Sequence, residues 1–161
     1  MNGQNENYIL ILKESLKKKK HILEELVKLN ERQKAAVSGE NFDAEAFEAV
    51  VEEKGQYIEQ IEELDKGFQS VYDHVKDTLN GNRERYKTEI AELKQLIAEV
   101  TEKSMEVQIS EKRNEQLVYS KIAQERKKIH QSRTASRVAS DYYKSMSKVN
   151  VIDPQFLDKK K

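Results

Sequence analysis

Apolar residues recur at every third or fourth position along the segment from Phe47 to Phe68. The members of this stripe are Phe47, Val50, Lys54, Tyr57, Ile61, Leu64 and Phe68. An alternation of three and four residues places them all on one side of an α-helix, as in helices that pack lengthwise against each other. The stripe therefore predicts a packed helical bundle, with one lysine inside its apolar seam.

The same spacing occurs in two further segments, so the chain is predicted to contain three long helices, at about residues 5–37, 43–80 and 83–131. Gly39 is expected to end the first helix in the left-handed conformation. Asp43 is placed to cap the second helix, and Phe42 and Phe47 have the spacing of a hydrophobic staple. Apolar residues become fewer over residues 104–114, which predicts a thin core there.

Short connections make such helices run antiparallel to their neighbours. The predicted fold is therefore all-α: an elongated, coiled-coil-like antiparallel three-helix bundle over residues 1–131, with an extended C-terminal helix or tail over residues 132–161. A charged content of 36% and a single proline agree with long helices.

The sequence argues against catalysis. It has no cysteine, which excludes thiol catalysis and Cys-ligated zinc. Its three histidines lie on different predicted segments, and it has no glycine-rich phosphate loop. We therefore expect no enzyme activity, no metal and no cofactor. The longest apolar run, Tyr8–Leu12, is too short to span a membrane, so a cytoplasmic, soluble protein is expected.

Charge is distributed unevenly along a chain that is neutral overall. Residues 132–161 contain seven Lys or Arg and three Asp or Glu, which gives this segment a net charge of +4. We interpret it as a basic, partly disordered partner-binding tail. The other basic run, Lys17–Lys20, is followed by glutamates and lacks interleaved aromatic residues. No nucleic-acid binding is therefore expected.

The tail also carries an amphipathic stripe. It consists of Val138, Tyr142, Tyr143, Met146 and Val149. These residues follow the point where the other helices end, so the stripe is predicted to lie uncovered and to bind a partner helix. The alternative is that the stripe is buried by folding back or by dimerisation.

Lys54 allows two interpretations. In the first, its stem lies along the seam and its ammonium group reaches water or a nearby glutamate. In the second, it sets the alignment of the helices through a carboxylate, either Glu53 or a glutamate on another helix. The second is favoured. Gly55 and Gly67 each weaken a helix by about 1 kcal/mol relative to alanine, and close approach of another helix would explain them.

Three stretches resemble the FlgN family of flagellar export chaperones over residues 8–129. They are ILILKESLKKKKHILEELVKLNERQKAAV, EEKGQYIEQIEELDKGF with its Glu53–Lys54 pair, and EKRNEQLVYSKI with Asn114, which we assign to the seam. The resemblance implies a helical bundle in the bacterial cytoplasm whose C-terminal part binds the terminal helices of hook–filament junction proteins. It also implies delivery of this cargo to the type III export gate at the membrane, so that membrane contact is indirect.

The alternative function is a structural coiled-coil scaffold that self-associates through its C-terminal helix. A monomer is favoured for the chaperone, with a dimer as the alternative.

Overall fold

The computed structural model describes residues 2–126 and 132–146, and these residues form four helices. They are α1 (Asn2–Ser38), α2 (Ala44–Gly81), α3 (Lys87–Glu125) and α4 (Ser132–Met146). The described residues contain no strand, and the three long helices pack together, which confirms the predicted all-α bundle. None of the described helices is long and apolar enough to cross a membrane.

The start of α2 forms as the sequence predicts. The backbone N–H of Ala46 donates to Oδ1 of Asp43 at 3.0 Å, so Asp43 is the N-cap. The rings of Phe42 and Phe47 lie 5.3 Å apart between centroids, which is the contact of a hydrophobic staple.

The connection between α1 and α2 differs from the prediction in its backbone. None of the five glycines, Gly39 included, has a positive φ angle. The carbonyl groups of Gly39 and Glu40 instead accept hydrogen bonds from Nζ of Lys121 at 2.6 and 2.9 Å. A side chain from α3 thus satisfies these carbonyls, and the left-handed turn is not formed.

The beginning of α3 lies four residues later than predicted, because residues 82–86 form turns. The side-chain amide of Asn82 donates to the Thr78 carbonyl at 2.9 Å and satisfies one of the last carbonyls of α2. Tyr86 is buried ahead of the helix. The predicted end of α3 at residue 131 lies outside the described residues.

The described residues divide into two compact units. Unit 1 contains residues 2–23 and 59–104, and unit 2 contains residues 24–58, 105–126 and 132–146. Each of the three long helices contributes one segment to each unit, and α4 belongs to unit 2. The predicted division into a bundle over 1–131 and a tail over 132–161 stays a prediction.

Unit 1 has an apolar core with ion pairs at its edge. Its core side chains come from all three long helices and, for Tyr86, from the turn before α3: Ile9, Leu12, Leu16, Ile22, Leu23, Ile61, Phe68, Tyr72, Val75, Leu79, Tyr86, Leu93, Ile97 and Val100. Lys19 lies in this seam, and its Nζ is 2.6 Å from Oδ1 of Asp65 on α2. Lys13 and Lys20 pair with Glu92 and Glu99 on α3 at 2.6 and 2.7 Å.

Gly55 and Gly67 are exposed positions within α2. A Cβ atom added at either one would meet nothing within 4 Å. Close approach of another helix therefore does not explain these glycines. Nothing in the structure explains why glycine occupies them.

Candidate functional site

The site at α4 is a helix packed on a surface made by the other three helices. Ala139, Tyr142 and Tyr143 of α4 are buried, and Val138 and Met146 are partly buried beside them. Their spacing places them on one face of the helix. The surface beneath, which we call the α4 seat, consists of Ala36 and Val37 of α1, Phe47 of α2, and Val118 and Ile122 of α3.

The structure corrects one expectation about the tail stripe. Tyr142 and Tyr143 keep only 5% and 8% of their surface exposed, so the prediction that they lie uncovered is wrong. The physical reason is that α4 is a separate helix that packs on the segments of the three long helices in unit 2. Of the two alternatives, folding back describes the tyrosines. Val149 lies outside the described residues, and a role of the stripe in binding a partner stays a prediction.

Lys54 lies at the centre of a buried polar cluster that includes all four helices. Its side chain is fully buried, so the interpretation in which it reaches water is wrong. Its Nζ pairs with the carboxylate of Glu111 on α3 and donates to the Tyr142 hydroxyl on α4 and, at 3.3 Å, to Oε1 of Gln33 on α1. The counter-ion is thus the glutamate on another helix. Glu53 instead faces Arg32 at 3.3 Å.

Tyr142 completes this cluster from α4. Its hydroxyl donates to Glu111, with oxygen–oxygen distances of 2.8 and 2.6 Å to the two carboxylate oxygens. Nζ of Lys54 lies 4.4 Å from the centroid of the Tyr142 ring, within the range of a cation–π interaction. The ring also meets that of Phe47 edge-on, with centroids 6.0 Å apart. Tyr142 therefore joins the apolar seat to the ion pair.

A second polar layer explains the thin core predicted over residues 104–114. The amide nitrogen of Asn114, which is fully buried, donates to the Asn30 carbonyl at 2.8 Å and to Oε1 of Gln33 at 3.0 Å. Nδ2 of Asn30 donates to Oγ of Ser110 at 2.6 Å, and that hydroxyl donates to the Val107 carbonyl at 2.9 Å. Hydrogen bonds between α1 and α3 thus replace apolar contacts here. A register role for Lys54 and Asn114 stays a prediction.

Burial shifts the pKa values of the ion pair in opposite directions. Loss of water around Lys54 lowers its pKa to about 8, although the nearby Glu111 carboxylate favours the charged amine. Loss of water likewise raises the pKa of Glu111, against the effect of Lys54. Each charge is therefore compensated mainly by the other, and removing either one leaves an uncompensated buried group.

Tyr143 lies beside Tyr142 in a different environment. Its ring centroid is 4.6 Å from that of Tyr142 and 6.2 Å from that of Tyr119. Its hydroxyl is buried and has no hydrogen-bond partner among the described residues. Burial also raises the pKa of this hydroxyl, with Glu111 and Glu115 adding to the effect. A buried polar group without a partner costs about 1–3 kcal/mol.

Sequence reasoning missed Glu111, although a signal for it was present. Starting from Val107, the spacing of four, three and four residues gives Glu111, Asn114 and Val118. This places Glu111 in the seam of α3, as Lys54 lies in the seam of α2. Two opposite charges in facing seams predict a buried pair, whereas a glutamate considered alone is expected at the surface.

The fold and this site define a class of protein: an all-α bundle whose three long helices pack against an amphipathic fourth helix. Within residues 2–126 and 132–146, no group of three or more potential ligands is placed to hold a metal ion.

The family model described as FlgN protein matches residues 8–145 of the chain. This range includes α1, α2 and α3 from Tyr8 onward and all of α4 except Met146. The chain therefore belongs to the FlgN family, which confirms the resemblance found in the sequence. It is a flagellar export chaperone, and the family is one of chaperones, not of enzymes. Searches of curated proteins and of solved structures give no match.

Proposed function

We propose that this chaperone binds the C-terminal helices of hook–filament junction proteins in the bacterial cytoplasm, prevents their premature assembly and delivers them to the type III export gate. Family membership supports export cargo as the class of partner. The observation that carries the proposal is the α4 seat, where three long helices hold a 15-residue amphipathic helix. A surface of this kind suits a helix of another protein.

The proposed mechanism is the covering of apolar surface. Helices that assemble into a filament carry apolar stripes, and such stripes promote aggregation when they are exposed. A complementary apolar surface on the chaperone covers them until export. We propose that the partner-binding region consists of the α4 seat and the stripe of Val138, Tyr142, Tyr143 and Met146, with Val149 included from its spacing.

Ordering of flexible cargo segments offsets part of the binding free energy. The complex therefore stays releasable, as delivery to the export gate requires. Lys54 and Asn114 act in this proposal as structural residues that align the helices beneath the site.

The experiment is capture of junction proteins from flagellated cells, with mass spectrometry as the readout. The full-length chain is compared with a version ending at Gln131, which lacks α4. We expect the full-length chain to recover junction proteins, and the shorter one to recover them in a clearly different amount. Circular dichroism on both versions controls for loss of fold.

Three outcomes are distinguishable. Equal recovery by both versions would show that the site is not at α4. Failure of the full-length chain to recover any junction protein would refute the proposed function. A stable multimer in sedimentation velocity that requires residues 132–150 would favour the alternative, a self-associating scaffold.

A further inference from the structure

The α4 helix covers apolar side chains that the other three helices contribute to unit 2. Phe47 and Val118 are fully buried, and Val37 is nearly so, all within the cluster that contains α4. Removal of α4 would expose a contiguous apolar surface to water, which monomeric proteins rarely tolerate. The seat is therefore filled either by α4 or by a helix that replaces it.

We infer that α4 is a removable internal occupant of the α4 seat, and that the partner helix binds by taking its place. The inference rests on the proposed function for the identity of the partner. It narrows the partner-binding region to the α4 seat, with the stripe as the occupant of the seat in the free chaperone. It also adds a regulatory property, because cargo binding then requires α4 to leave.

The two adjacent tyrosines have opposite effects on the closed state, in which α4 occupies the seat. One hydroxyl fixes the position of α4, and the other lowers the stability of its packing. The Tyr142 hydroxyl bonds to both members of the buried Lys54–Glu111 pair and so fixes the position of α4. The Tyr143 hydroxyl is buried one residue later without a partner among the described residues. An unpaired buried hydroxyl lowers the stability of the packed helix relative to the same ring without it. A helix that must leave is drawn from the less stable part of a fold.

The length and composition of α4 point the same way. It has 15 residues, against 37 to 39 in the other three helices, and its sequence SRTASRVASDYYKSM contains four serines and a threonine. Helices of this length are marginal in water without packing contacts, and serine and threonine are weaker helix formers than alanine or leucine. Once released, α4 is therefore expected to lose its helical structure and not to compete strongly with the partner.

The contacts of α4 define the chemistry of the helix that replaces it. Ala139 is fully buried against the seat, so the partner needs a small residue there. Three residues later it needs a polar group that accepts from Lys54 and donates to Glu111, as the hydroxyl of Tyr142 does. Tyrosine meets this requirement, and the side-chain amides of asparagine and glutamine supply the same acceptor and donor.

Two conservative variants of the full-length chain test the inference, because it predicts opposite effects for them. Tyr142→Phe keeps the ring and removes the hydroxyl that bonds to the ion pair, which destabilises the closed state. Tyr143→Phe keeps the ring and removes the hydroxyl that has no partner, which stabilises it. Apparent affinity scales with the open fraction while the closed state dominates. We expect about tenfold tighter binding for Tyr142→Phe and about tenfold weaker binding for Tyr143→Phe, both relative to the wild type.

Two probes are used with each chain: a synthetic peptide with the sequence of residues 132–146, and C-terminal helical peptides of hook–filament junction proteins. Titration calorimetry gives the affinities, and hydrogen exchange of the α4 amides gives the closed fraction without any ligand. Both probes are expected to bind in the order Tyr142→Phe, wild type, Tyr143→Phe. Exchange in α4 is expected to be fastest in Tyr142→Phe.

The probes separate the inference from the proposed function. Binding of the junction peptides with equal affinity to all three chains, or most weakly to Tyr142→Phe, would overturn the inference and leave the proposed function standing. The expected order with the α4 peptide, combined with no binding of any junction peptide, would support the removable helix and refute the proposed function. A Tyr142→Phe dimer in which the α4 helix of each copy occupies the seat of the other would make a second copy the occupant and overturn the inference.

Discussion

Replacement of Lys54 by methionine removes one half of the buried ion pair and leaves the other half in place. Glu111 would then retain its carboxylate in a site where only 13% of its side chain is exposed, without the Lys54 charge that pairs with it. Loss of one partner from a buried pair typically costs 3–5 kcal/mol, about a third or more of the stability of many domains. We expect Lys54→Met to lower the free energy of unfolding by about this amount.

The double variant Lys54→Met/Glu111→Gln separates the cost of the unpaired charge from the cost of lost packing. It removes both charges. In the wild type the Tyr142 hydroxyl donates to Glu111, and the amide oxygen of the new glutamine keeps an acceptor for it. Replacement of both members of a buried pair is often neutral or stabilising. We therefore expect the double variant to recover most of the stability lost in Lys54→Met.

The assay is urea unfolding of the full-length chain, followed by circular dichroism. The exposed ion pair of Arg32 and Glu53 is the matched control. Their side chains are 55% and 48% exposed, and their charged atoms lie 3.3 Å apart. The pair joins α1 and α2, the same two helices that contribute Gln33 and Lys54 to the buried cluster. Arg32→Met is expected to change stability by less than about 1 kcal/mol. Unchanged stability of Lys54→Met, or equal losses in the single and double variants, would refute the account of the pair.

Three further predictions concern stability. Burial lowers the pKa of Lys54 from 10.5 to about 8. Between these pH values the unfolded chain therefore binds a proton at Lys54 that the folded chain has released. The free energy of unfolding should consequently rise with pH over this range, by at most about 3 kcal/mol. Urea unfolding of the wild type and of Lys54→Met/Glu111→Gln at pH 7.5 and pH 10 measures this rise. An equal change in the free energy of unfolding between the two pH values in both chains would contradict it. Gly55→Ala and Gly67→Ala should each raise the free energy of unfolding by about 1 kcal/mol, because a Cβ there meets nothing within 4 Å; a loss of stability in melting experiments would show a close contact. Asp43→Ala should lower the free energy of unfolding by about 1 kcal/mol through loss of the N-cap, and Asp43→Asn is the control that keeps an acceptor. Equal melting temperatures of Asp43→Ala and the wild type would show that Asp43 does not cap the helix.

The long helices were predictable because their sequence signals are local and repeated. The three-and-four spacing gave α1 and α2 to within three residues at each end. Asp43 with Phe42 and Phe47 gave the start of α2. A break between the second and third helices was predicted at residues 81–82, but its extension to Tyr86 was missed, because turns such as the one closed by the bond from the Tyr86 N–H to the Asn82 carbonyl leave no apolar spacing.

The site was predictable only in part. Lys54 stood out because it interrupts an apolar seam, and the tail stripe stood out because of its helical spacing. The burial of Tyr142 and Tyr143 depends on where α4 packs, which is a tertiary property. The opposite environments of their two hydroxyls depend on Glu111, which is 31 residues distant from Tyr142 in the sequence. Long-range pairing of this kind leaves no local pattern.

Hydrogen exchange of the α4 amides in the full-length chain, measured with and without a C-terminal helical peptide of a hook–filament junction protein, tests most directly whether a partner helix takes the place of α4. The account predicts that the bound peptide speeds exchange in residues 132–146, while amides of the seat around Phe47 and Val118 stay protected. Exchange in α4 that stays equally slow, or becomes slower, on saturation with the peptide would contradict it.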